Sequence, residues 1–254
     1  ERINETIRRA KEAGYFVTYN HPVWSMESYP EYSRYHGMDA LEIYNYSSDC
    51  GGWCDYVPQV YDDLLRLGNR IGCTATDDNH DHLPEEHPLF DSYGGFTYIM
   101  APTLTYADVF RALKSGDYYA SMGPRFLEVI AEDGQLRVKT SPVFRMQLST
   151  KYRRAEAAGA PFGETITEAV FSVRPDDGYV RLDIVDEHGG MPIPARSMWR
   201  SFSKDAQNET TSNRRFPKPL DFCPRACLRI HRPAAIPRSQ ELGRATVMRL
   251  WTTH

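Results

Sequence analysis

The chain has 254 residues, of which 41% are hydrophobic and 25% are charged, and its formal net charge at pH 7 is −4. This length fits one large domain or a domain with a smaller appendage, and no stretch reaches the roughly 20 apolar residues of a membrane span. Residues 200–254 hold 11 Lys and Arg against 4 Asp and Glu, so the rest of the chain is acidic. Such an acidic body is a poor surface for nucleic acid and a suitable host for divalent cations.

The first segment, ERINETIRRAKEAG, is amphipathic and predicts a polar helix rather than a signal sequence. The chain has no initiator Met and no leading strand, which predicts that it is the later part of a longer protein. Its five cysteines are an odd number, which argues against a complete disulfide framework and favours a cytoplasmic setting. The pairs Cys50/Cys54 and Cys223/Cys227 lack the usual zinc spacing, so free thiols are favoured over a structural zinc site.

Residues 1–125 alternate predicted helices and strands with short turns. Ile3, Ile7 and Ala10 recur at helical spacing before Gly14, and a helix over 106–114 has Thr105 as its N-cap. A further helix is predicted over 55–67, and strands are predicted over 15–19, 40–45, 70–76, 95–100 and 118–121. This rhythm is typical of βα units and predicts a parallel sheet or barrel.

The pattern changes after residue 125. Short strands are predicted over 126–131, 136–140, 169–173 and 179–185, and Asp133-Gly134 and Asp177-Gly178 are hairpin signals. Residues 151–168 are predicted to interrupt these strands as a loop or short helix. We therefore expect a small antiparallel, sandwich-like β appendage over 126–195, followed by an irregular or disordered basic tail over 196–254.

Polar side chains follow three of the predicted strands of the first part. Asn20-His21 comes after the first, Glu42 and Asn45 lie at the end of the second, and Asp77-Asp78-Asn79-His80 follows the third. The carboxyl ends of parallel strands meet at one edge of a sheet, where active sites form. Histidine and carboxylate donors brought together there predict a divalent metal site.

Each residue also has a purely structural interpretation. Asp77 and Asp78 can cap a turn, His80 can be a solvated loop residue, and an isolated His21 is more often structural than a ligand. Pro22 is expected to hold His21 in extended geometry, and Asn20 can orient a ligand from behind. Glu42 points away from Leu41 and Ile43, so its carboxylate needs a cation, a histidine or an Arg as a partner.

The motifs Tyr-Asn-His-Pro (19–22), Asp-Ala-Leu-Glu-Ile-Tyr-Asn (39–45), Thr-Asp-Asp-Asn-His (76–80) and Ser-Met-Gly-Pro (121–124) resemble, in order and spacing, the later motifs of the PHP (polymerase and histidinol phosphatase) family. The resemblance implies a distorted (β/α)7 barrel, two or three divalent metal ions (Zn, Mn or Fe) and hydrolysis of phosphate esters. By position, His21 matches the late metal-binding histidine of the family, and Asp78 and His80 match its closing D-x-H ligands. Glu42 and Asn45 match a recurrent strand motif and are not expected to be direct ligands.

The family's opening H-x-H motif and the ligands that follow it are absent from this sequence. The fold prediction is therefore a partial, distorted (β/α)7 TIM-like barrel over 1–125, with the β appendage after it. The missing N-terminal half of the barrel is an expected partner.

The functional prediction is a metal-dependent hydrolase that acts on a small phosphorylated substrate. His21, Asp78 and His80 are the predicted catalytic and metal-binding residues, converging on a shared ion. Six residues are predicted to support them or contact substrate: Asn20, Glu42, Asn45, Asp77, His82 and Arg125. The alternative is a degenerate pseudoenzyme or a module that binds carbohydrate or protein, because Trp24, Trp53 and several tyrosines lie near the same motifs.

Overall fold

The computed structural model describes residues 2–80, 82–186, 225–230 and 246–249. In its first half the elements are α1 (Arg2–Glu12), β1 (Thr18–Tyr19), α2 (Tyr29–Tyr32), β2 (Ala40–Asn45), α3 (Tyr46–Cys50), α4 (Pro58–Arg66), β3 (Gly72–Thr76), β4 (Phe96–Ile99), α5 (Tyr106–Ser115) and β5 (Tyr118–Ser121). They are followed by β6 (Phe126–Glu132), β7 (Gln135–Val143), β8 (Arg145–Thr150), β9 (Ala155–Gly159), β10 (Ile166–Ser172), β11 (Val180–Val185), β12 (Arg225–Ile230) and β13 (Thr246–Arg249). None of the helices in these ranges is both long enough and apolar enough to cross a membrane.

The described strands form three sheets. One is parallel and has the order β1-β2-β3. The second has the order β4-β5-β12-β11-β8-β9 and the third has the order β10-β7-β6-β13, and every neighbouring pair in both is antiparallel. The chain therefore combines a small parallel sheet with a larger antiparallel part.

The prediction of a partial (β/α)7 TIM-like barrel is wrong. Parallel pairing is confined to β1, β2 and β3, and the described part of the chain contains no closed barrel. After α5 the chain returns to the end at which β4 finished, because Ile99 pairs with Tyr118 and the Met100 N–H donates to the Asp117 carbonyl at 2.9 Å. A parallel crossover would have carried it to the opposite end of the sheet, yet both paths show the same strand–helix–strand order in the sequence.

Two hydrophobic cores hold these sheets. The first packs α4 against β2 and β3, and its fully buried side chains include Leu41, Ile43, Tyr61, Leu64 and Ile71. All six residues of β2 are buried, as expected for a parallel strand that is covered on both faces. The second core belongs to the antiparallel sheets, where β7 alternates exposed and buried residues over most of its length. That alternation is typical of a sheet with one face on the core and one in solvent.

Several local predictions are confirmed. Helix α5 begins after Thr105, whose Oγ1 accepts the Asp108 N–H at 3.3 Å, and it ends at Gly116, whose φ is 84°. Asp133-Gly134 joins β6 to β7 as a hairpin. Asp177-Gly178 does not form a hairpin, because β10 and β11 belong to different sheets.

Other local predictions differ from the structure. Strand β8 was not expected, and β9 lies where a loop or helix was predicted. Within the range predicted as an irregular tail, the structure describes β12 and β13, and the other residues of that range lie outside the described ones.

Arg181 links the parallel part to the antiparallel part. This side chain on β11 is 8% exposed and forms ion pairs with Asp62 of α4 at 2.7 Å and with Asp183 at 2.9 Å. Its Nη1 also donates to the Pro58 carbonyl at 3.3 Å. Because the cation is buried between carboxylates, separating the two parts would leave charges unpaired.

Leu182→Ala should lower the free energy of unfolding by about 3 kcal/mol, because the Leu182 side chain is completely buried in the second core and its removal leaves a cavity. Urea unfolding of both proteins measures the difference. Val170→Ala is the control, because Val170 is 50% exposed on β10 and should change stability by no more than about 0.5 kcal/mol. Equal losses in the two variants would contradict the described packing.

Because of Asp177, the free energy of unfolding should change with pH in the acid range. Its carboxylate accepts hydrogen bonds from the Arg154 Nε at 2.9 Å and the Arg174 N–H at 2.7 Å. Burial raises the pKa of Asp177, but the bonds from Arg154 and Arg174 lower it more, so the pKa lies below its ordinary value. A depressed carboxyl pKa stabilises the folded state above the unfolded pKa, about 3.9, and that contribution disappears as the pH falls through the folded value.

Asp177→Asn should therefore cost roughly 1–3 kcal/mol at neutral pH. Its difference from the parent protein should shrink below about pH 4. Urea unfolding at a series of pH values measures this, with the exposed neighbour Asp176→Asn as the matched control. A difference that stays constant down to the lowest pH would show that the charge of Asp177 is not the cause.

Candidate functional site

The three polar segments found in the sequence leave the parallel sheet at the same edge. Tyr19 of β1 pairs with Leu41 of β2, and Asn45 at the end of β2 pairs with Thr76 at the end of β3. The segments 20–21 and 77–80 therefore follow their strands at the edge where β2 ends. This is the arrangement that the parallel strand order predicts.

Glu42 is the buried centre of this edge. Its side chain is 1% exposed. Oε1 accepts the Thr76 hydroxyl at 2.6 Å, and Oε2 accepts the His21 backbone N–H at 2.8 Å and the Asn45 Nδ2 at 3.0 Å. These partners are neutral, so the carboxylate is hydrogen-bonded without being paired to a Lys or Arg among the described residues.

Asn45 connects Glu42 to Asp78. Its fully buried Nδ2 donates to Glu42 Oε2 and to Asp78 Oδ2, both at 3.0 Å. Its Oδ1 accepts the Ser48 N–H at 2.9 Å and so caps α3. One amide therefore holds two carboxylates and fixes the start of a helix, which explains why an Asn is needed where β2 ends.

His21 and Asp78 both have backbone conformations in the left-handed region, with φ of 33° and 48°. The expectation that Pro22 holds His21 extended is therefore wrong. The His21 backbone N–H donates to Glu42. His21 forms this hydrogen bond in a conformation that differs from the extended one usually preferred before proline. His and Asp are among the residue types that tolerate this region best, and such strain often marks functional positions.

The His21 ring is held on one side. Its Nδ1 lies 3.0 Å from Ser25 Oγ, and the Trp24 ring packs edge-on at a centroid distance of 5.0 Å. No hydrogen bond of Nε2 is found among the described residues. Nε2 is therefore the ring atom that remains available to a ligand.

Asp55 is a functional candidate that the sequence analysis missed. It is fully buried, and its carboxylate accepts long hydrogen bonds from the Val23 and Trp24 N–H groups at 3.4 and 3.3 Å. Burial raises its pKa, and the Trp24 and Val23 N–H groups and the charge of His21 offset only part of that increase. An antiparallel bridge between Tyr44 and Tyr56 brings Asp55 to the end of β2, which is a long-range pairing with no local sequence signal.

His80 lies on the connection after β3 and contacts a second missed residue, Asp91. Asp91 Oδ2 accepts the His80 N–H at 3.1 Å and the Ser47 hydroxyl at 3.1 Å, and it lies 3.2 Å from His80 Nδ1. Burial raises the pKa of Asp91, but the hydrogen bonds from His80 and Ser47 lower it further, so its pKa is below the ordinary value. The His82 ring stacks on the His80 ring at 5.9 Å.

Asp77 supports the backbone rather than the site chemistry. Its two oxygens accept the N–H groups of Tyr93, Gly94 and Gly95 at 2.6 to 2.8 Å. A side chain at Gly95 would collide with the backbone of Thr76, which explains the glycine at this close approach. Asp77 therefore fixes the loop that carries Asp91.

Asn20 and Arg125 are not joined to this network by any described hydrogen bond, ion pair or ring contact. Asn20 is exposed beside His21. Arg125 instead bonds through its backbone N–H to Ser141 Oγ at 3.0 Å, and it lines a cavity of about 400 Å³ together with Lys139 and Glu168 on the β6–β7–β10 sheet. Cys50 and Cys54 form no disulfide within the described residues, and the side chains of Cys223 and Cys227 lie outside those residues, so the choice between free thiols and a zinc site stays a prediction.

The edge carries an excess of negative charge. Six carboxylates lie at or near this edge: Glu42, Asp49, Asp55, Asp77, Asp78 and Asp91. None of them forms an ion pair with a Lys or Arg of the described residues. Within the same ranges, no group of three or more His, Cys, Asp or Glu side chains is arranged to hold a metal ion, so the expected convergence of His21, Asp78 and His80 is not formed. The donor chemistry nevertheless fits a divalent cation, because imidazole nitrogens and carboxylate oxygens lie beside uncompensated negative charge.

No protein-family model matches this chain, and neither the search of curated proteins nor the search of solved structures gives a significant match.

Replacing Asn45 should weaken the fold more than replacing an exposed Asn nearby. Asn45→Ala removes a buried donor from Glu42 and Asp78 and removes the cap of α3, so we expect a loss of about 2–3 kcal/mol in the free energy of unfolding. The control, Asn79→Ala, removes a solvent-exposed contact with Ser92 and should cost less than about 1 kcal/mol. Similar losses in urea unfolding would show that the Glu42–Asn45–Asp78 connection contributes little.

Proposed function

We propose that this edge of the parallel sheet binds a divalent cation and hydrolyses phosphate esters. The observation that supports the proposal is the group of carboxylates without Lys or Arg partners around two histidines. Like charges at close distance in a partly buried setting repel each other, and a bound cation removes that repulsion. Carboxylates without a Lys or Arg partner are therefore expected to attract a positively charged ligand.

His21, Asp78 and His80 are the residues that would hold the cation, and because they do not form a common site in the described part of the chain, the cation would have to draw them together. Zn, Mn and Fe suit a mixed set of imidazole and carboxylate donors. When bound, such a cation lowers the pKa of water and neutralises charge on phosphoryl oxygens. The protein's own groups orient these donors, since Glu42 fixes the His21 backbone and Asn45 fixes one oxygen of Asp78.

The motif resemblance supports the same reaction. His21, Asp78 and His80 are the residues that correspond by position to late metal ligands of the PHP family, whose usual substrates are phosphate esters. The proposal transfers the chemistry of these motifs to this chain and does not transfer the family's barrel. A small phosphorylated substrate fits a site whose donors Asp78 and His80 are exposed to solvent.

The test measures metal binding and turnover in the full chain. His80→Ala and Asp78→Asn should abolish measurable Zn²⁺ or Mn²⁺ binding by calorimetry and should lower hydrolysis of an aryl phosphate by roughly 100-fold or more, because the cation supplies the charge stabilisation. His36→Ala is the matched control. His36 is an exposed histidine that precedes β2, at the other end of the strand, and its Nδ1 lies 2.9 Å from the Arg34 carbonyl.

Unchanged metal affinity in both His80→Ala and Asp78→Asn would overturn the assignment of these ligands. Equal loss in His36→Ala would show that the effect is general rather than local. Far-ultraviolet circular dichroism of each variant separates loss of a ligand from loss of the fold.

A second candidate is a binding function without catalysis. Three aromatic side chains near the same edge expose large surfaces to solvent: Trp24 is 53% exposed, Trp53 44% and Tyr93 70%. Such rings are suited to stacking on a sugar face. Bound zinc without turnover of phosphate esters, together with a change in tryptophan fluorescence on adding sugars, would support this candidate.

A further inference from the structure

Asp91 makes three contacts through a single oxygen. Its Oδ2 accepts from the His80 N–H at 3.1 Å and from the Ser47 hydroxyl at 3.1 Å, and it faces His80 Nδ1 at 3.2 Å. The Asp91 side chain is 13% exposed, whereas the His80 side chain is 54% exposed. The carboxylate is thus the enclosed partner and the imidazole is the one that reaches solvent.

The chemistry of this contact selects one form of the imidazole. An ionised carboxylate only accepts hydrogen bonds, so the ring nitrogen that faces it must carry a proton. In the neutral ring the other nitrogen, Nε2, then has the free lone pair. Ser47 agrees with this form, because its hydroxyl donates to Asp91 and leaves its oxygen as an acceptor 3.3 Å from His80 Nδ1.

The neighbouring backbone holds Asp91 and Ser47 in place. The Ser47 N–H donates to the Asp77 carbonyl at 2.9 Å, which ties α3 to the end of β3. Asp77 in turn binds the N–H groups of Tyr93 to Gly95, just after Asp91. Asp77 therefore holds both Ser47 and the residues that follow Asp91 close to the end of β3.

We propose that Asp91 is a positioning residue that holds His80 as the Nδ1–H tautomer, so that Nε2 is the atom offered to the divalent cation. This inference rests on the proposed function for the identity of the ligand, but the tautomer itself can be observed without any metal. A histidine ligand whose second nitrogen is held by a carboxylate is a recurrent arrangement, and its loss usually costs 10–100-fold in metal affinity.

The first measurement is the tautomer of His80 in the metal-free full chain. Long-range ¹H–¹⁵N NMR, recorded at a pH high enough for the ring to be neutral, should show the proton on Nδ1, and the His80→Ala spectrum identifies the signal. In Asp91→Asn the proton should move wholly or partly to Nε2. A proton on Nε2 in the parent protein overturns the proposal whether or not the protein binds metal.

The second measurement is the affinity for Zn²⁺ by calorimetry. Asp91→Asn should weaken binding about 10–100-fold. Ser47→Ala should leave the tautomer unchanged and weaken binding only a few-fold, because the Asp91–His80 contact remains. Glu86→Gln removes one exposed charge from the same connection and should have no effect beyond a small electrostatic one.

The outcomes separate the two proposals. Unchanged affinity in Asp91→Asn, or an equal loss in Glu86→Gln, overturns the role of Asp91 while leaving the metal site intact. No zinc binding by the parent protein overturns the proposed function and with it the role of Asp91 toward a cation. The expected tautomer together with selective loss in Asp91→Asn supports both proposals.

Discussion

The Glu42 carboxylate lies buried where three parallel strands end, and it accepts hydrogen bonds from groups that follow or belong to each of them. His21 contributes a backbone N–H after β1, Asn45 an amide at the end of β2, and Thr76 a hydroxyl at the end of β3. A buried charge is tolerated only when its acceptor sites are filled. The positions of all three chain segments at this edge therefore depend on one another.

The side chains at the edge divide into an enclosed set and an accessible set. Glu42 and Asp55 are buried and bind backbone or amide groups, whereas Asp78 and His80 are exposed. Enclosed carboxylates with fixed partners give rigidity, and accessible donors can exchange solvent for a ligand. Among the accessible donors, Asp78 is oriented by Asn45 and His80 is oriented by Asp91.

The sequence predicted those elements whose signals are local. The cap at Thr105 and the left-handed glycine at 116 mark the two ends of α5. The positions of Glu42, Asn45 and Asp78 near the ends of predicted strands indicated that they lie at one edge of the sheet. The antiparallel return from β4 to β5 was not predictable in this way, because the order of strand and helix is the same for both directions of pairing.

Two site residues were also not predictable from local sequence signals. Asp55 reaches the edge through a bridge between Tyr44 and Tyr56, and Asp91 lies in a loop without periodicity. The left-handed conformation of His21 departs from the preference of a residue before proline, at a backbone N–H that is bonded to Glu42. In each case a contact distant in sequence decided a feature that nearby residues did not indicate.

Arg181 couples the antiparallel part of the molecule to the parallel part through an ion pair. Its guanidinium, on a strand of the antiparallel part, pairs with Asp62 on the helix that packs against the parallel sheet. Cutting the chain between β5 and β6 would leave Asp62 without this cation and would strip β5 of its neighbour β12. The segment that carries His21, Asp78 and His80 therefore relies on the antiparallel part for the partner of a carboxylate and for a neighbouring strand.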